Sequence, residues 1–157
     1  MKKEDVMAIF LVQHGLSLPK DQDPGKGLSE NGKADTVKIA EVAKTYQIPV
    51  SKIIHSGKKR AEQTAVIFNE TLGVEKPVER IDGINPLDDV TTFAKRIDPQ
   101  SNEMVVGHLP FMERLVGYLT AGSTDVRVYK FQNSGIVCLE NDDGDWFIKW
   151  TLNPNIS

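Results

Sequence analysis

Two of the three histidines in this chain, His14 and His108, sit in matching surroundings. Each directly follows an unbroken apolar run, and each has a glycine beside it, Gly15 after the first and Gly107 before the second. Between them in sequence, Ser56-Gly57-Lys58-Lys59-Arg60 leads from a third apolar run into a helical segment. A helix N-terminus with an arginine in its first turn is an anion site, and a guanidinium forks onto phosphate oxygens. An imidazole can attack a phosphoryl group, hold it as a phosphohistidine and lose it to water, provided that the imidazole is neutral and the phosphoryl oxygens are neutralised. His14 and His108 fit the nucleophile and its partner, sharing a phosphate-sized pocket with Arg60. Lys58 and Lys59 read as solvated charges that guide an anion inward.

The elements that must bring these groups together alternate along the chain. Residues 7–12 lack polar alternation, as in a strand buried on both faces of a parallel sheet. Ser29 is an N-cap for a helix from about Glu30 to Tyr46, with Val37, Ala40, Ala43 and Tyr46 on one stripe. A strand at 50–54 precedes a helix from about Lys59 to Leu72, ended by Gly73. A third helix starts near Asp88 or Asp89 and buries Val90, Phe93 and Ile97. The strand at 103–107 then leads through His108 and Leu109 into a helix opened by Pro110, with Phe111, Leu115 and Leu119 inward, and ended near Gly122. Residues 126–131, 135–140 and 146–152 read as strands, the last two joined by the turn Asn141-Asp142-Asp143-Gly144. The expected fold is α/β: a mostly parallel sheet with helices on both faces and an antiparallel C-terminal hairpin. Ligands of such sheets bind beyond the carboxyl ends of the strands, where His14 and His108 fall.

Composition narrows the function classes. The 157 residues suit one domain, 1–157, and 39% hydrophobic with 26% charged content is a globular balance. A net charge of −3 carries no broad basic field, so neither nucleic acid nor an anionic membrane is an expected partner. Met1-Lys2-Lys3-Glu4-Asp5 is followed by an apolar run too short for a signal peptide, and no run is long enough to span a bilayer. Cys138 is the only cysteine and lies in an apolar stretch, so it reads as a core residue in a reducing, cytoplasmic protein. The run from Gly27 to Lys33 spells most of a P-loop, but no strand precedes it and Ala34 stands where Mg²⁺ binding needs a hydroxyl. A zinc site from His14, His55 and His108 is disfavoured by the cationic Arg60, so no metal and no cofactor are expected.

Val12-Gln13-His14-Gly15, then Ser56 with Arg60-Ala61-Glu62-Gln63-Thr64, then Val106-Gly107-His108-Leu109-Pro110 resemble in order and spacing the signature of the histidine phosphatase, or phosphoglycerate mutase-like, superfamily. With the tail from Asn133-Ser134-Gly135, the chain is most similar to the short SixA-type phosphohistidine phosphatases. The resemblance implies that His14 is the phosphorylated nucleophile, and that Gln13, Arg60 and His108 bind the substrate phosphate. It implies as partner a phosphohistidine protein or a small phosphate-bearing compound. The family carries arginine immediately before the nucleophile, and Gln13 here donates hydrogen bonds without charge. The implied activity is therefore a slowed phosphatase or, in a second reading, a phosphate-binding regulatory pseudophosphatase. Family members also use a Glu as proton donor after the third strand; here the candidates are Asp82, Asp88 and Asp89, which equally suit helix capping.

Overall fold

A strand without polar alternation needs neighbours on both edges and cover on both faces. Ala8–Gln13 (β1) has both in the computed structural model, which describes residues 6–156. The stretch Met1-Lys2-Lys3-Glu4-Asp5 lies outside the described residues. β1 pairs in parallel with Glu103–Gly107 (β4) and antiparallel with Ile136–Asp142 (β5). Lys52–His55 (β2) lies in parallel against the far side of β4, and the two-residue strand Glu79–Arg80 (β3) follows it. Asp145–Leu152 (β6) forms the C-terminal hairpin with β5. The described residues thus build a six-stranded sheet, ordered β3-β2-β4-β1-β5-β6, with the expected parallel body and antiparallel hairpin.

Helices Glu30–Thr45 (α1) and Lys59–Leu72 (α2) cover one face of the sheet, while Val90–Ala94 (α3) and Phe111–Ala121 (α4) cover the other. Strand alternation divides the core accordingly. Phe10, Val12, Met104 and Val106 pack with Ile39, Ala61 and Phe68, whereas Ile9, Leu11 and Val105 pack with Val90, Phe111 and Leu115. Ser29 accepts from the Gly32 N–H at the start of α1, and Gly73 and Gly122 take left-handed conformations after α2 and α4.

Three expectations need correction. The buried stripe of α1 is Thr36, Ile39, Ala40 and Ala43, so Val37 and Tyr46 face outward, Tyr46 at 77% exposure. Polarity misleads there because the Thr36 hydroxyl is satisfied inside, by Gly32 O and by Ser134 Oγ. Residues 126–131 form no strand: Val126 and Val128 are exposed, and the Phe131 N–H goes to the buried carboxylate of Glu113 rather than to a ladder. The third helix is shorter than expected, so Ile97 packs onto the core from beyond its end.

Candidate active site

Register explains why two distant histidines meet. Gln13 and Gly107 are direct partners in the β1–β4 pair, so the next residues, His14 and His108, leave the sheet side by side. The pairing runs one step further, with the His14 N–H donating to Gly107 O at 3.0 Å. Val12 and Val106 face α1 and α2, so alternation turns both imidazoles toward that same face, where α2 begins. The rings lie 5.0 Å apart between centroids, tilted by 50°. Arg60, in the first turn of α2, reaches His14 from above, its Nε 3.4 Å from His14 Nε2. The α2 N-terminus has no side-chain cap, so the positive end of the helix dipole also faces this rim.

The hydrogen bonds set the protonation of the pair. His14 Nδ1 lies 2.7 Å from Gly15 O, which can only accept, so the proton sits on Nδ1 and the lone pair on Nε2. Burial pushes the His14 imidazole down to about 4, the charges of Arg60 and Lys26 adding to the effect and the Gly15 bond opposing it. His108 is pushed down to about 3, first by burial and then by His14, Arg60 and Lys58. Both rings are neutral at pH 7. His108 Nε2 lies 2.6 Å from the buried Ser56 hydroxyl, which also receives the Lys58 N–H at 3.4 Å. His108 Nδ1 is buried without a hydrogen-bond partner among the described residues. A buried polar nitrogen left so costs about 1–3 kcal/mol.

The backbone around His14 is fixed from several directions. The Gly15 N–H donates to Thr64 Oγ1 at 2.9 Å, and Thr64 in turn donates to Arg60 O. Asn133 Nδ2 donates to His14 O, and the Ser134 N–H donates to Gln13 O, each at 2.9 Å. Gly15 has no room for a side chain: a Cβ would stand 2.9 Å from Thr36 Oγ1 and 3.1 Å from Ser134 Oγ. Thr64 and Asn133 both lie within the sequence motifs, and Thr64 stands four residues after Arg60, one turn along the same helix face.

The remaining candidates separate. His14, His108 and Arg60 converge. Gln13, the last residue of β1, has a buried side-chain oxygen with no partner among the described residues. His55 is buried at the end of β2, and its Nδ1 accepts the Gly57 N–H at 3.0 Å, so it shapes the loop that carries Ser56. Asp88 accepts the Asn85 N–H, and Asp89 caps α3 through Thr91 and Thr92, so both are engaged in local turns. The Asp82 side chain is 94% exposed and lies 3.6 Å from Arg80. Cys138 is buried and its thiol is pushed up to about 12 by burial, as befits a core residue. Among the described residues, no helix is long and apolar enough to cross a membrane.

No protein-family model matches the chain. It is 26% identical over 155 residues to the phosphohistidine phosphatase SixA of Escherichia coli strain K12, covering 94% of each protein. Among solved structures, it is similar to the protein histidine phosphatase SixA complexed with tungstate, with a TM-score of 0.79 and 24% identity over 94% of this chain and 97% of that one. A mycobacterial glucosyl-3-phosphoglycerate phosphatase complexed with VO3 has the same fold, with a TM-score of 0.70 at 15% identity over 92% of this chain and 98% of that one.

Proposed function

From its homology to SixA along nearly the whole chain and its histidine phosphatase superfamily fold, we propose that this protein is a phosphatase acting on phosphohistidine through a phosphoenzyme on His14. The observation that carries the reading is the state of His14: a neutral imidazole with its proton held by Gly15 O and its Nε2 lone pair beside the Arg60 guanidinium.

In the first step the Nε2 lone pair forms a bond to phosphorus as the bond from phosphorus to the substrate imidazole breaks. The departing imidazole keeps the electron pair of the broken bond and leaves neutral, with its proton on the other ring nitrogen. Water then attacks phosphorus, the bond to His14 breaks, and inorganic phosphate and the neutral imidazole return. Arg60 neutralises phosphoryl oxygens, and the neutral His108 imidazole, facing His14, lines the same pocket. A phosphohistidine carries a good leaving group, the imidazole, which suits a site whose candidate carboxylates Asp88 and Asp89 are engaged in a turn and a helix cap. The positive charge in this scheme comes from the protein, so turnover is expected to persist in EDTA.

Incubation with a phosphohistidine protein or acetyl phosphate tests the reading. The expected result is acid-labile phosphate on His14, and loss of label and turnover in His14→Ala. Unchanged turnover in that variant would remove the mechanism. Gln13 favours the second reading, a phosphate-binding regulatory protein, because a neutral amide gives up a charge-assisted contact of about 1.5–3 kcal/mol. The readings part at Gln13→Arg: a slow phosphatase gains about 10-fold or more in turnover, whereas a pseudophosphatase gains only affinity for phosphate.

A further inference from the structure

A phosphoryl group carries up to about two negative charges near neutral pH, and the site as described neutralises one of them. Both imidazoles are neutral, Gln13 has no charge, and among the described residues Arg60 is the single cation hydrogen-bonded to His14. Four other cations lie near this rim in the sequence or fold: Lys26, Lys58, Lys59 and Arg80. Lys59 is held by Asp23 at 2.9 Å. Arg80 lies against Gly57 but is paired with Asp82, and its side chain is 69% exposed. Lys58 is exposed at the start of α2. Lys26 alone among the four is half-buried and has no ion pair among the described residues.

The loop around Lys26 is built rather than slack. Asp23 accepts the Gly25 N–H and the Gly27 N–H while holding Lys59, the residue next to Arg60. The Leu28 N–H donates to Gln63 Oε1 at 2.7 Å, one turn along α2 from Arg60. The Lys26 N–H closes a turn onto Asp23 O, and the Leu18 N–H a second closure onto Gly27 O. Held by these bonds, Lys26 takes a left-handed backbone conformation, with φ at 51°, which a lysine adopts only at a cost. The loop is thus pinned to the helix turn that presents Arg60, and the charge of Lys26 is felt at the His14 ring.

We propose that Lys26 is a substrate-contacting residue whose ammonium binds the phosphoryl oxygens at His14 and supplies the positive charge absent at position 13. The assignment rests on the phosphatase reading above. It makes the recognition of the dianion a joint act of α2 and the loop between β1 and α1.

The test compares Lys26→Met, Lys26→Arg and the control Lys20→Met, an exposed lysine of the same loop, by acetyl phosphate turnover and orthovanadate inhibition. Lys26→Met is expected to lower kcat/KM and to weaken orthovanadate binding by about 10-fold to 100-fold, as for a lost charge-assisted contact. Lys26→Arg should recover most of both, and Lys20→Met should match the wild type. The loss should persist in 0.5 M NaCl, since salt screens long-range attraction far more than a contact. Lys26→Met within twofold of wild type, no recovery by arginine, or an equal loss in Lys20→Met would overturn the assignment while leaving the phosphatase reading intact. A wild-type protein that neither turns over acetyl phosphate nor binds orthovanadate would overturn both. One that binds without turnover removes the phosphatase reading, and the orthovanadate series then decides Lys26 by itself.

Discussion

The two ends of the parallel sheet treat charge in opposite ways. Toward the amino ends of β2 and β4, Lys52, Glu79, Arg96, Asp98 and Glu103 line a cavity of about 170 Å³. Its cations are satisfied from within: Lys52 lies 2.6 Å from Glu79, and Arg96 donates to Asp82 O while lying over the Phe93 ring. At the carboxyl end, among the described residues, Arg60 bonds a neutral imidazole, Lys26 has no ion pair, and His108 Nδ1 has no hydrogen-bond partner. The difference teaches where a ligand belongs. A fold that pairs Lys52 at one end and leaves Arg60 and Lys26 without an ion pair among the described residues at the other has reserved the second for a charge brought from outside.

Breaking the open end should cost most. His108→Ala removes the imidazole that faces His14 and should slow hydrolysis by about 100-fold to 1000-fold, as for a lost transition-state contact, measured by single-turnover decay of the His14 phosphoenzyme. Decay at the wild-type rate would mean that His108 serves only to pack the pocket.

Acidification is the next largest effect. Unfolded histidines titrate near 6.5, while the folded pocket holds His14 near 4 and His108 near 3. Between those values the unfolded chain takes up protons that the pocket refuses. Stability contributed by the pair is therefore complete above pH 6.5 and falls as the pH drops toward 4, by something on the order of 3 kcal/mol per imidazole. Urea midpoints at pH 7 and pH 4.5 should diverge in the wild type and much less in a His14→Asn/His108→Asn variant. Equal divergence in both proteins would refute the buried neutral pair as its origin.

The closed end should matter least. Lys52→Met breaks a partly exposed ion pair and should cost about 0.2–1 kcal/mol, seen as a small shift in thermal midpoint, with turnover unchanged. A change in turnover would show that the two ends are coupled.

The same contrast marks what could be read from the chain alone. β4, α2 and the start of α4 were legible because apolar runs, glycine stops and Pro110 all agree there with the final structure. The convergence of His14, His108 and Arg60 followed from motif order and from the carboxyl-end rule. What escaped notice were polar groups satisfied at long range. Thr36 is inside because Ser134 meets it, and residues 126–131 leave the sheet because Glu113 takes the Phe131 N–H and holds Arg127. β3, two residues long, has no periodicity to detect. Lys26 lay hidden between two glycines, its importance set by a carboxylate three residues earlier that holds the turn.

The bond from Asn133 to the His14 carbonyl ties an early residue of the chain to a late one, across 119 positions. During synthesis, the His14 strand emerges long before the segment that braces it. A ribosome-bound chain ending before that segment would carry the histidine without its support, so the pocket is completed only once Asn133 has emerged.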